Sequence, residues 1–123
     1  MGESVLSRFV RIFEAFTPDV IRVMPDYQSY PTWQPGADEY NVDPEKLPIS
    51  KDLADELNAW GDDYDATLVL DDPASSGFPD EASENAFAER GARLARRLAA
   101  ELAGRYRVDY HDIRTGRRET ITG

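Results

Sequence analysis

Five prolines fall between residues 25 and 49, at positions 25, 31, 35, 44 and 48, and no regular element of ordinary length can run through that stretch. Each proline lacks the amide that helix and sheet ladders require, and each steers the residue before it toward extended backbone. Tyr27, Tyr30, Trp33 and Tyr40 are interleaved with them. Disordered segments are poor in aromatics, so the stretch predicts an ordered loop pinned by its rings. Regular structure must be built from the flanks.

On the N-terminal side, Val5, Phe9, Ile12 and Phe16 form one helical stripe with Leu6 and Phe13 beside it. This predicts an amphipathic helix over 4–16, stopped by Thr17-Pro18. Val20 to Met24 is a β-branched run closed by Pro25, read as a strand. On the C-terminal side, Ser50 is a good helix N-cap, and Asp52 suits the dipole of the first turn. Leu53, Leu57, Trp60 and Tyr64 then follow on one face. A second loop occupies 68–79. A long helix is predicted from about Asp80 to Ala103, with Phe87, Gly91, Leu94, Leu98 and Leu102 buried and Gly104 at its end. Gly91 on that face implies the close approach of another backbone. Tyr106, Val108 and Tyr110 alternate with Arg107, Asp109 and His111, the period of a half-buried strand, and Arg114-Thr115-Gly116 turns into a last strand near 117–122.

The order α-β-loop-α-α-β-β predicts one α+β domain over 1–123, with residues 1–17 as an added helix on a core of 18–123. Its sheet is expected to be small and antiparallel, about three strands covered by three helices, the helix pair bringing the chain back antiparallel. No apolar run approaches the ~18 residues of a membrane span, and the N-terminus lacks a signal pattern. A cytoplasmic location is the expectation. The absence of cysteine excludes disulfides, Cys-ligated zinc, iron–sulfur clusters and thiol nucleophiles.

The net charge of -10 is concentrated in the middle, where residues 37–84 carry fifteen acidic against two basic residues. The C-terminal third carries nine arginines against five acidic residues. Nucleic acid and anionic membranes are disfavoured as partners by this field; basic proteins, cationic ligands and metal ions are favoured.

Arg22-Val-Met-Pro-Asp-Tyr27, Asn41-Val-Asp-Pro-Glu-Lys-Leu-Pro48, Tyr64-Asp-Ala-Thr-Leu68, Asp71-Asp-Pro-Ala-Ser-Ser-Gly-Phe78 and the 86–98 segment resemble a group of small acidic actinobacterial proteins without an assigned activity. The similarity spans 20–112, leaving the helix at 4–16 outside, and it supplies no catalytic residue. Some small acidic actinobacterial proteins resemble cytoplasmic immunity proteins of secreted toxins, and that analogy implies the same role here.

His111, the single histidine, has Asp109 on its strand face and Asp112 beside it, an arrangement for a carboxylate-oriented base. Ser75 or Ser76 would then be the nucleophile, but no Gly-x-Ser-x-Gly elbow supports it, and a solitary histidine on a polar strand face is more often solvated. Asp62, Asp63, Asp65, Asp71 and Asp72 form the densest carboxylate cluster, without the spacing of an EF-hand loop. Arg90, Arg93, Arg96 and Arg97 suggest a phosphate stripe, although such arginines more often pair with acidic loops of the same chain. Aromatic anchors ringed by carboxylates suit a basic protein surface. The sequence therefore reads as an acidic, protein-binding module of the immunity-inhibitor kind, contacting its basic partner through Tyr27, Tyr30, Trp33, Tyr40, Asp62, Asp63, Asp65, Asp71 and Asp72. No catalytic residue, metal or cofactor is assigned. One alternative uses the loop 25–49 as the pocket of a small-ligand binder or small enzyme, with Asp26 or His111 as acid–base group. Another uses the helix at 4–16 as a homo- or hetero-oligomer contact.

Overall fold

The β-branched run beginning at Val20 lies in strand β1, Asp19–Val23, of the computed structural model, which describes residues 19–36, 40–69, 72 and 76–122. The predicted helix at 4–16 lies outside the described residues. Alternation along β1 turns Ile21 and Val23 into the core, where both are fully buried, and Arg22 toward the opposite sheet face. The proline-rich stretch holds two further strands of two residues each, β2 (Thr32–Trp33) and β3 (Asn41–Val42). Both pairings are antiparallel, with Arg22 opposite Trp33 and Thr32 opposite Val42. Asp43 then caps a single 3-10 turn at Pro44–Lys46.

Helix α1, Lys51–Asp65, starts at the predicted cap: the Ser50 hydroxyl accepts the Leu53 amide. Helix α2, Glu81–Glu101, is capped by Asp80, which accepts the Ser83 amide at 2.7 Å. Hydrogen bonding from the Ser83 side chain first, and then from its amide, holds the Asp80 carboxyl below its ordinary range. The Ser50 amide and hydroxyl both donate to the Glu101 carboxylate, at 2.7 and 3.0 Å. The start of α1 therefore sits at the end of α2, and the two helices are antiparallel. Gly104, at φ +80, turns the chain out of α2 into β4 (Tyr106–Asp112), and a turn through Gly116 leads to β5 (Arg117–Ile121).

The five strands are ordered β3-β2-β1-β4-β5 in one sheet. The class is α+β as expected, but the sheet has five strands rather than three, two helices are described, and the sheet is mixed. β1 and β4 pair in parallel, Ile21 opposite Val108, where an antiparallel return was predicted. The reason lies in the proline-rich stretch. It contributes its own chain reversals through β2, β3 and residues 43–50, so α1 begins at the opposite end of the sheet from the one a simple loop would reach.

The core centres on Trp60, which is fully buried and stacked on Phe87 with ring centroids 4.6 Å apart. Its indole N–H donates to the Phe87 carbonyl at 3.0 Å, and the Tyr110 hydroxyl donates to the Ala88 carbonyl at 2.7 Å. Both bonds satisfy polar groups where water does not reach. Gly91 lies under these two rings. The close approach that its sequence position implied is real, but what approaches is aromatic side chain and not backbone. No described helix is long and apolar enough to cross a membrane.

Candidate functional site

Helix α1 presents two stripes. Leu53, Ala54, Leu57 and Trp60 enter the core, while Asn58, Gly61, Asp62 and Asp65, spaced at i, i+3, i+4 and i+7, share another face. That second stripe forms one wall of a cleft of about 500 Å³. The opposite wall comes from the proline-rich loop: Gln28, Ser29, Tyr30, Pro31 and Asn41. Asn41 fixes Tyr30 by accepting its amide at 3.0 Å and donating to its carbonyl at 2.8 Å. Gln28 has a positive φ of 58, uncommon for a residue with a side chain. Its amide donates to Asp65 Oδ1 at 2.8 Å, tying the loop to the helix.

The four predicted aromatic anchors divide into two pairs. Tyr27 stacks on Tyr64 at 4.5 Å and shares a 2.9 Å hydrogen bond with Thr67. Trp33 is only 8% exposed and donates its indole N–H to the Met24 carbonyl. These two hold the loop in place. Tyr30 and Tyr40 are displayed, at 45% and 42% exposure. Burial, followed by the neighbouring Tyr27, pushes the Tyr64 phenol up to about 12, so it stays a neutral packing ring at physiological pH.

The carboxylates divide as well. Asp63 is ion-paired with Arg90, Glu56 with Arg97, and Asp55 with Lys51. Two of the C-terminal arginines thus pair within the chain as anticipated, although with helix α1 and not with a loop. Asp65 commits one oxygen to Gln28, whereas the exposed Asp62 carboxylate has no hydrogen bond or ion pair with any described residue. Asp72 is exposed in the second loop, and Asp71 lies outside the described residues. The cleft brings together Tyr30, Asp62 and Asp65 from the predicted set; it does not include Tyr27, Trp33, Tyr40 or Asp63. Asn58, Gly61 and Asn41 were not singled out beforehand. The helical spacing of 58, 61, 62 and 65 was the signal available for the first two.

His111 stands elsewhere, on β4. Asp109 is bonded to Thr120 and ion-paired with Arg107, and Asp112 is bonded to Arg114, so neither carboxylate orients the imidazole. Ser76 accepts the Val69 amide as a loop tie, and Ser75 lies outside the described residues. Two buried nitrogens, Arg22 Nε on β1 and His111 Nδ1 on β4, have no hydrogen-bond partner among the described residues. Burial first, then Arg118 and Arg22, holds the His111 imidazole below 6.5, against a smaller opposing pull from Asp112. The unfolded chain therefore binds the proton more readily, and stability falls as pH drops from 6.5 toward the folded pKa. The melting temperature is expected to decline over that window, and His111→Gln is expected to flatten the decline. Identical slopes for the two proteins would show that another group governs it. Among the described residues, no three of His, Cys, Asp and Glu converge as metal ligands would.

A family model described as Serratia CdiI immunity protein-like matches residues 19–113, which begin at β1 and end just past β4. The chain belongs to that family. The family is thus a CdiI-like one, where the sequence words pointed to an actinobacterial group without assigned activity. The inhibitor reading agrees with it: an immunity-type protein that binds another protein. No curated protein matches the chain closely enough to count as a relative. The matched segment contains every described residue of the cleft.

Proposed function

We propose that this CdiI-like chain is the cytoplasmic inhibitor of a toxin protein and that it covers a basic surface of that toxin with the cleft and its surroundings. Family membership supports the inhibitor role. The sign of the partner's charge rests on one observation: among the described residues, the acidic or basic side chains lining the cleft, Asp62 and Asp65, are both carboxylates. Tyr30 and Tyr40 supply aromatic area that can be buried at small entropic cost, and the acidic middle of the chain accelerates encounter with a cationic protein. A second reading, a small cationic ligand in the same cleft, is favoured by a volume within the usual range of ligand sites.

The test has two stages. Tagged full-length chain is used to capture proteins from the native cell extract, with washes at low and then high salt. The captured protein is then expressed in a bacterial host with and without this chain. Growth arrest relieved by co-expression is the expected outcome. A captured protein that is harmless alone, or toxic regardless of this chain, overturns the inhibitor role.

A further inference from the structure

We propose that the cleft between the proline-rich loop and α1 receives a guanidinium group, an arginine side chain of the bound partner. The proposal rests on the inhibitor reading and specifies how that site recognises its target. The walls are chemically unlike. Tyr30 lines it from the loop with nearly half its surface exposed, so its ring is open to a partner, and Asp62 and Asp65 line it from the same helix face with carboxylates. Pro31 lies against Gly61 where loop and helix meet, and the other described lining groups, Gln28, Ser29, Asn41 and Asn58, are uncharged. Among the described residues, no lysine, arginine or histidine lines the cleft to neutralise the carboxylates.

A cation is therefore the complementary occupant, and the combination of ring and carboxylate selects its shape. A guanidinium is planar: it can lie against an aromatic face while its edge donates two parallel hydrogen bonds to one carboxylate. An ammonium is a compact, strongly hydrated charge that gains less from that pairing. Asp62 is the group for the paired hydrogen bonds, since its carboxylate has no described partner to surrender. Asp65 adds field while remaining bound to Gln28.

Isotope-labelled full-length chain titrated with a blocked oligo-arginine peptide, followed by NMR, tests the site. Saturable shifts are expected at the amides of Gln28, Tyr30, Asn58 and Asp62. The isosteric oligo-citrulline peptide should be silent and oligo-lysine severalfold weaker. Asp62→Asn is expected to lower affinity for the arginine peptide about tenfold, the usual loss for a charge-assisted bond. Asp52→Asn, at the far end of the same helix, should change it less than about twofold. Gly61→Ala, whose methyl would meet Pro31 at an ordinary 3.5 Å, should weaken binding without unfolding the chain. Equal effects of Asp52→Asn and Asp62→Asn, equal binding of citrulline, or shifts spread along α1 would overturn the site in favour of a diffuse acidic field. The two levels separate in the growth assay. Full protection by Asp62→Lys overturns the guanidinium site and leaves the inhibitor role standing. Failure of the unaltered chain to protect any host overturns that role, whatever the peptides do.

Discussion

Replacing Gly91 with alanine is expected to cost about 2–4 kcal/mol of stability, although alanine is the better helix former. A Cβ at this position would stand 2.5 Å from the Tyr110 hydroxyl and closer still to Trp60 Cζ2. Neither ring can simply rotate away. The indole is held by the Phe87 carbonyl and the phenol by the Ala88 carbonyl, both in the buried core. Moving Tyr110 would leave its buried hydroxyl without a partner, about 1–3 kcal/mol by itself. Moving Trp60 would disturb its stack on Phe87. Chemical denaturation of both proteins measures the loss, and a double-mutant cycle with Tyr110→Phe assigns it. Removing the hydroxyl should recover part of the cost of Gly91→Ala, with the remainder due to Trp60. Unchanged stability would mean that α2 shifts freely against the sheet, contrary to the packing described.

The second large effect concerns binding. Asp62→Lys is expected to weaken the complex with the partner protein about 30-fold or more, the scale of an interface hot spot, while leaving the melting temperature nearly unchanged. The Asp62 carboxylate is exposed and has no partner among the described residues, so its replacement removes no described contact, yet it places an ammonium in the lining of the cleft. Asp63→Ala makes the informative comparison. Its carboxylate is already engaged by Arg90, so its loss should affect binding several times less. Surface plasmon resonance with the purified partner at two salt concentrations checks both. Asp62→Lys should slow association and also reduce its salt dependence. Comparable affinities for both variants would remove Asp62 from the contact.

The helices were legible because their determinants are local. Ser50 and Asp80 are caps, and the stripe from Leu53 to Trp60 needs only helical periodicity. β4 was legible for the same reason, its alternation running through Tyr106, Val108 and Tyr110. β2 and β3 were not, because two residues carry no period and their partners lie elsewhere in the chain. Parallel pairing of β1 with β4 followed from reversals hidden in the same stretch. The site was legible as a region, aromatics beside an acidic helix, but not residue by residue. Asp62 and Asp63 are neighbours of identical chemistry. Only the position of Arg90 on another helix decides which is occupied. Likewise, nothing local separates Tyr27, which stacks on Tyr64, from Tyr30, which faces outward.

The parallel pairing of β1 with β4 also sets a timetable for synthesis. β1 lies near the start of the chain, and its central neighbour is made only after both helices. Sequence-distant pairings of this kind close late, since the intervening chain must be ordered first. While the ribosome is still working, Ile21 and Val23 have no Val108 to lie beside, and Trp60 has no Tyr110 to pack under. A nascent inhibitor is thus without its scaffold until the C-terminal strands emerge. On the proposed inhibitor role, protection begins only once β4 has been made and paired, so a cell relies on copies that reached that stage beforehand.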